Sequence, residues 1–223
     1  AISGAYTFPV VRTPLGSVRG VDYGAFMAFK GLPYAERPRR FAPPVPKLPW
    51  PDSETLDATR FGDACVSGGS HRDSDPLESY GESEDCLHAN VWVPKVARRG
   101  LPVMVWIHGG GFMGRTANYA GYWGDGFVTH PDAEPTLLVT FNYRLAIFGF
   151  YSSEDTGANF GFQDQQVLLR WVRDNIVAFG GDPSRVTLGG QSAGAMSVVC
   201  HLAAPGSAGL FSRAIASSPG GLY

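Results

Sequence analysis

The stretch Arg185-Val-Thr-Leu-Gly-Gly-Gln-Ser-Ala-Gly-Ala-Met-Ser-Val-Val-Cys-His-Leu202 decides how the chain is read. Residues 185–188 suit a short buried strand, Gly189-Gly190 interrupts it, and a helix is expected from near Ser192 to about Leu202. The junction holds Gly190-Gln191-Ser192-Ala193-Gly194, a G-x-S-x-G between strand and helix. A turn this sharp forces the serine into a strained backbone and lifts its hydroxyl out of the sheet. Glycines two residues to either side are needed because side chains there would collide with the neighbouring strand and helix. The helix N-terminus adds partial positive charge where an oxyanion would form. Ser192 is therefore the candidate nucleophile.

Working outward, apolar residues at helical spacing (Val167, Leu168, Trp171, Val172, Ile176, Phe179) predict a helix over 164–179. Gly180-Gly181 closes it and Pro183 prevents its continuation. Continuous apolar runs at 91–93, 102–107 and 136–141 read as strands covered on both faces, and 210–217 reads as another buried strand. Strands alternating with helices imply an α/β class with a mostly parallel sheet and crossover helices. From Val10 to Lys30 short alternating runs between turns read as antiparallel strands at a sheet edge. The Pro-rich passage from Pro33 to Pro51 is irregular and must wrap over a surface.

A second feature follows the run 102–107: His108-Gly109-Gly110-Gly111-Phe112. Glycines at the carboxyl end of a buried strand leave backbone N–H groups unobstructed, where ligand sites of such sheets lie. Together with the serine they supply what acyl transfer needs, N–H donors from Gly110, Gly111 and Ala193.

Composition bounds the partners. With 18 Lys plus Arg against 20 Asp plus Glu, the net charge of -2 offers no field of one sign for nucleic acid or an anionic membrane surface. Charged residues are only 17% and hydrophobic ones 44%, which predicts a large dry core. No apolar run has the ~18 residues a membrane span needs, and Ala1-Ile2-Ser3-Gly4 has no signal-peptide character. Of the 3 cysteines, Cys65 and Cys86 flank a polar loop that a disulfide would staple. The alternative is two unpaired thiols in a reducing compartment. Cys200 reads as a small buried hydrophobe.

Several ordered segments carry a family resemblance: Glu84-Asp85-Cys86-Leu87-x-x-Asn90-Val91-Trp92, His108 to Phe112, Asn142-Tyr143-Arg144, Asp164-Gln165, Phe179-Gly-Gly-Asp-Pro183 and Gly190 to Gly194. In that order they resemble the type-B carboxylesterase/lipase family, which has the α/β-hydrolase fold and includes the cholinesterases. The resemblance implies Ser192 as nucleophile and Gly110, Gly111 and Ala193 as oxyanion hole, with Gln191, His108, Phe112 and a hydroxyl from Ser218 close by. It also implies a Cys65–Cys86 disulfide, structural ion pairs Arg40–Glu84 and Arg144–Asp164, and a secreted or lumenal location. No metal or organic cofactor is implied.

Three departures refine the expectation. The family usually has Glu before the serine, whereas Gln191 is neutral. The loop between Cys65 and Cys86 holds no Trp to stack a quaternary ammonium, so an uncharged ester is expected over a choline ester. The fold's triad runs Ser, then acid, then His, yet His201 is the one histidine after Ser192. It lies nine residues along the predicted helix, about 13 Å away at 1.5 Å per residue, too far to act as base. His71, His88 and His130 are expected at the surface, and His108 is expected to shape the glycine loop. The strand at 210–217 would also be an unpaired apolar edge.

Residues 1–223 are thus expected to be the N-terminal part of one α/β-hydrolase domain, completed by a separate C-terminal polypeptide. That second chain would carry the acid and histidine. The leading function is hydrolysis of a small-molecule carboxylic ester. Alternatives are a lipase on long acyl chains, a non-catalytic binding or adhesion module of the same fold, and acyl transfer or cyclisation.

Overall fold

The computed structural model describes residues 7–68 and 80–220. The expectations for Ala1 to Gly4 and for His71 fall outside the described residues.

Twelve strands and four α-helices are present among them. The N-terminal strands are β1 (Val10–Thr13), β2 (Gly16–Arg19), β3 (Val21–Asp22), β4 (Phe26–Pro33) and β5 (Thr55–Asp57). Next come β6 (Ala64–Cys65), β7 (Glu82–Ser83), β8 (His88–Pro94), β9 (Leu101–Ile107) and α1 (Asp125–Val128). The remainder is β10 (Leu137–Phe141), α2 (Ala146–Phe150), α3 (Phe160–Asn175), β11 (Gly181–Gln191), α4 (Ala193–Ala203) and β12 (Arg213–Ser217).

A seven-stranded sheet in the order β12-β11-β9-β10-β8-β4-β3 organises the chain. The four strands β12, β11, β9 and β10 are mutually parallel, while β8, β4 and β3 add antiparallel. Antiparallel pairing at the N-terminal end is thus as expected, although β1 and β2 leave the main sheet and form a small one with β5. Residues 34–54 hold no strand or helix, in keeping with their prolines.

Strand β10 is buried along its whole length, which explains its unbroken apolar run. Strand β9 is not: Met104 and Trp106 are half-buried on one face while Val103, Val105 and Ile107 are buried on the other. Helix α3 begins at Phe160, four residues before the expected start, because Asn159 caps it in a left-handed conformation (φ 59°) that apolar spacing does not register. It packs Leu168 and Val172 fully into the core, a burial worth roughly 1.5–3 kcal/mol per side chain. Gly180 ends the following 3₁₀ turn with φ 92°, as a left-handed cap requires.

Strand β12 is the unpaired edge expected for 210–217, although shorter and not the buried strand that its apolar residues suggest. It pairs with β11 on one side only and, at the sheet's edge, is exposed at all five positions, with Ile215 47% accessible. Cys200 is likewise exposed rather than buried. Helix α4 turns Ser197, Val198 and His201 inward, which leaves Cys200 on the outer face.

Candidate active site

The site lies at the carboxyl ends of β9 and β11, where two loops meet. Ser192 joins β11 to α4 with φ 55° and ψ −123°, a strained conformation for a non-glycine residue. Its N–H donates to the Ser217 carbonyl of β12 at 3.0 Å, and its carbonyl accepts the Met196 N–H at 2.9 Å. The Ser192 hydroxyl makes no capping bond to α4 and stays available. A methyl group on Gly194 would stand 2.1 Å from the Ile107 carbonyl oxygen, and one on Gly190 would stand 2.5 Å from the Gly194 carbonyl. Gly194 must be glycine for the turn to close against β9, and Gly190 for the strand to approach the start of α4.

The glycine loop is seated on this turn. A methyl on Gly109 would lie 3.2 Å from Ser192 Cβ and 2.8 Å from the Gln191 carbonyl. Gly110 (φ 112°) accepts from the N–H groups of Met113 and Gly114 through its carbonyl, which coils the loop. Phe112 is half-buried, its ring 4.9 Å from that of Phe150, which anchors the loop tip to α2. Ala193 is buried at the first position of α4. Gln191 and Ser218 are exposed, and Ser218 has φ 54° just past the end of β12. The loop, the serine and the start of α4 therefore converge on one spot, with a neutral side chain at Gln191.

The histidines fall elsewhere. His108 is buried, its Nδ1 2.8 Å from the Gly109 carbonyl and its ring stacked 4.5 Å from Tyr143. His201 bonds Ser207 Oγ through Nδ1 at 2.8 Å and Gln165 Oε1 through Nε2 at 3.0 Å. An amide oxygen only accepts, so Nε2 carries the proton; desolvation lowers the pKa of this ring to about 4 and keeps it neutral. His130 is exposed. His88 is half-buried at the start of β8, not at the surface as expected, and burial lowers its pKa. Strand β8 begins three residues before its apolar run at 91–93 and is buried between β4 and β10, which draws His88 inward.

A family model, that of the carboxylesterase family, matches residues 7–222. The chain belongs to the carboxylesterase family. It is 44% identical to the juvenile hormone esterase of Tribolium castaneum across 96% of this chain and 37% of that protein. It is 41% identical to the para-nitrobenzyl esterase of Bacillus subtilis (strain 168) across 95% of this chain and 44% of that protein. The solved structure of a thermophilic PNB esterase superposes with a TM-score of 0.87 at 39% identity, covering 95% of this chain and 45% of that one. The chain spans less than half the length of these relatives. Its fold is accordingly that of an N-terminal part of an α/β-hydrolase.

Within this member of the carboxylesterase family the two ion pairs are built differently. Arg144 and Asp164 are 4% and 0% exposed, with Nε donating to Oδ2 at 2.8 Å and Nη2 donating to Oδ1 at 2.7 Å. Burial pushes the Asp164 carboxyl up, opposed by the guanidinium and by the Arg144 N–H. Arg144 also reaches the Ala42 carbonyl at 2.8 Å, tying the Pro-rich segment to the sheet. Arg40 and Glu84 pair at 2.8 and 2.9 Å, but the Arg40 side chain is 63% exposed, so this pair is solvated rather than buried. Cys65 and Cys86 are joined in a disulfide (S–S 2.03 Å) that links β6 to the residue pair preceding β8.

Residue-level reading passed over Tyr143. Its hydroxyl donates to the His108 carbonyl at 3.0 Å under the glycine loop, and burial raises its pKa so that it stays a donor. The Ser217 carbonyl under the serine was also missed. Tyr143 lies inside the segment Asn142-Tyr143-Arg144, but only the fold brings it beneath His108.

Proposed function

We propose that the complete protein carrying this chain is a serine carboxylic-ester hydrolase with Ser192 as nucleophile. Ser192 Oγ attacks the acyl carbon of an uncharged ester and gives its proton to a histidine. The N–H groups of Gly110, Gly111 and Ala193 receive the oxyanion, each worth ~3 kcal/mol of transition-state stabilisation. The tetrahedral intermediate expels the alcohol, which takes the proton from the histidine, and leaves an acyl-enzyme. Water, deprotonated by the same histidine, then releases the acid and regenerates Ser192.

The observation that carries this reading is the contact of the glycine loop with the strained serine, 3.2 Å between the Gly109 methyl position and Ser192 Cβ. The acid and histidine are assigned to a C-terminal part beyond these residues, either continuing chain or a companion polypeptide from the same precursor. In support, His201 is engaged by Ser207 and Gln165, and His108 Nδ1 is engaged by the Gly109 carbonyl. Intact mass under denaturing conditions separates the two arrangements. The disulfide fits a secreted or lumenal protein.

A fluorophosphonate probe tests the assignment on the complete protein. Labelling and p-nitrophenyl ester turnover are expected, both lost in Ser192→Ala; absence of labelling would leave a binding module of the same fold. A lipase on long acyl chains is the second reading, favoured by the 54% exposed Met113 just beyond the glycine loop. A rate rising with acyl length selects it.

A further inference from the structure

The glycine loop, residues 109–115, contains two non-glycine residues with left-handed backbones, Phe112 (φ 60°) and Arg115 (φ 72°). Such residues persist only where the surrounding contacts over-determine them. Within the loop the Gly110 carbonyl collects the N–H groups of Met113 and Gly114 at 3.0 and 3.1 Å, which coils it without fixing it to the sheet. Its tip is tethered from outside, the Phe112 carbonyl accepting from the Ala146 N–H at 2.7 Å and the Met113 carbonyl from the Gly68 N–H at 2.8 Å.

The two residues that follow β10 hold both ends of this loop. On the entry side the Tyr143 hydroxyl donates to the His108 carbonyl at 3.0 Å, and the two rings stack at 4.5 Å. The same carbonyl borders the serine turn, since a methyl on Gly194 would stand 2.9 Å from it. The His108–Gly109 peptide is thus held between Tyr143 and the start of α4. On the exit side Asn142 Oδ1 accepts from Thr116 Oγ1 at 2.9 Å and from the Ala117 N–H at 2.8 Å. Asn142 is fixed in turn, its Nδ2 donating to the Asp63 carbonyl at 3.2 Å and its carbonyl accepting from the Tyr34 hydroxyl at 2.6 Å. Asn142, Tyr143 and Thr116 are 1%, 0% and 2% exposed, so water does not compete for these bonds.

We propose that Asn142 and Tyr143 are positioning residues that set the distance from Ser192 to the oxyanion donors of the glycine loop. This deepens, and rests on, the ester-hydrolase reading. Donors act only when aimed at the place where the oxyanion forms, and a displacement of about 1 Å can cost roughly 10²-fold in rate. Losing one clamp lets the loop relax, which weakens stabilisation of the oxyanion but not binding of the uncharged ester.

Turnover of p-nitrophenyl butyrate by the complete protein, with inhibition by an alkyl trifluoromethyl ketone, tests this. Ser192 Oγ adds to the ketone carbon, the carbonyl π pair becomes the oxyanion and the hydroxyl proton passes to the histidine, so the adduct reports on the oxyanion hole. Tyr143→Phe keeps the stacked ring and removes one hydroxyl. Its kcat is expected to fall about tenfold or more, and ketone affinity by the same factor. KM is expected to stay within about threefold, because acylation and deacylation both pass through the hole. Thr116→Val is isosteric and lacks the donor to Asn142; both quantities are expected to fall about threefold or more, and this variant carries the test if Tyr143→Phe does not fold. Val18→Ala, at a fully buried position of the small sheet, is expected to lower the urea midpoint and leave kcat unchanged. Unchanged kcat in the folded clamp variant, a rise in KM in place of the fall in kcat, ketone affinity that does not follow kcat, or an equal kcat loss in Val18→Ala would each overturn the proposal. A wild type that neither turns over the ester nor takes up a fluorophosphonate would instead refute the ester-hydrolase reading, and this proposal with it.

Discussion

Replacing Asp164 by Ala should be among the most damaging single changes outside the site. Arg144 would lose two charge-assisted bonds, at 2.8 and 2.7 Å, and its own N–H would lose an acceptor at 3.0 Å. Its Nη1 would keep only the Ala42 and Arg39 carbonyls. The guanidinium is 4% exposed, so water cannot replace the missing carboxylate. A buried charge stripped of its partner costs about 3–5 kcal/mol, which lowers the folding constant by roughly two to four powers of ten. Urea unfolding of the complete protein reads this as a lower midpoint at an unchanged slope. The double variant Arg144→Met/Asp164→Leu should recover most of the loss, because the penalty comes from the orphaned charge and not from absence of the pair. The exposed Arg40→Ala should leave the midpoint nearly unmoved. A loss below about 1 kcal/mol for Asp164→Ala, or a double variant as unstable as the single one, would refute the reasoning.

Other outcomes follow from the same geometry. Gly110→Ala places a methyl 2.2 Å from the Gly114 carbonyl at φ 112° and should distort the glycine loop; kcat is expected to fall about 10²–10³-fold, with the unfolding midpoint lowered as well. Cys65→Ser/Cys86→Ser opens a loop of sequence separation 21 and should cost about 3 kcal/mol, measured against wild type under oxidising conditions. His201 has its pKa lowered to about 4 in the fold against the ordinary value of 6.5. Its contribution is therefore complete above pH 6.5 and is lost as pH falls toward 4, a decline of about 3 kcal/mol. His201→Gln should flatten that part of the stability profile; an unchanged slope between pH 6.5 and 4 would count against it.

The legible features shared one property: each was a local backbone demand. A serine between glycines, three glycines after an apolar run and a Gly-Gly-x-Pro helix stop specify turns whatever surrounds them, and they stand where expected. Burial was harder to read. The apolar composition of 210–217 suggested a covered strand, but whether an edge is covered depends on what packs beside it, and β12 is exposed. Cys200 was misplaced because one residue of rotation on a helix exchanges inside for outside, and His88 because β8 starts before its apolar run and is paired on both sides.

The amino-acid order alone thus established a strand, a strained serine and a helix, together with a glycine loop after another strand, because steric limits on φ and ψ act between neighbours in the chain. That order contained nothing to bring Gly109 against Ser192, Tyr143 beneath His108, or the Ser217 carbonyl onto the Ser192 N–H. Those contacts join residues 35 or more positions apart in the first two cases, and they exist because β9 lies between β11 and β10 in one sheet, with β12 along the free edge of β11.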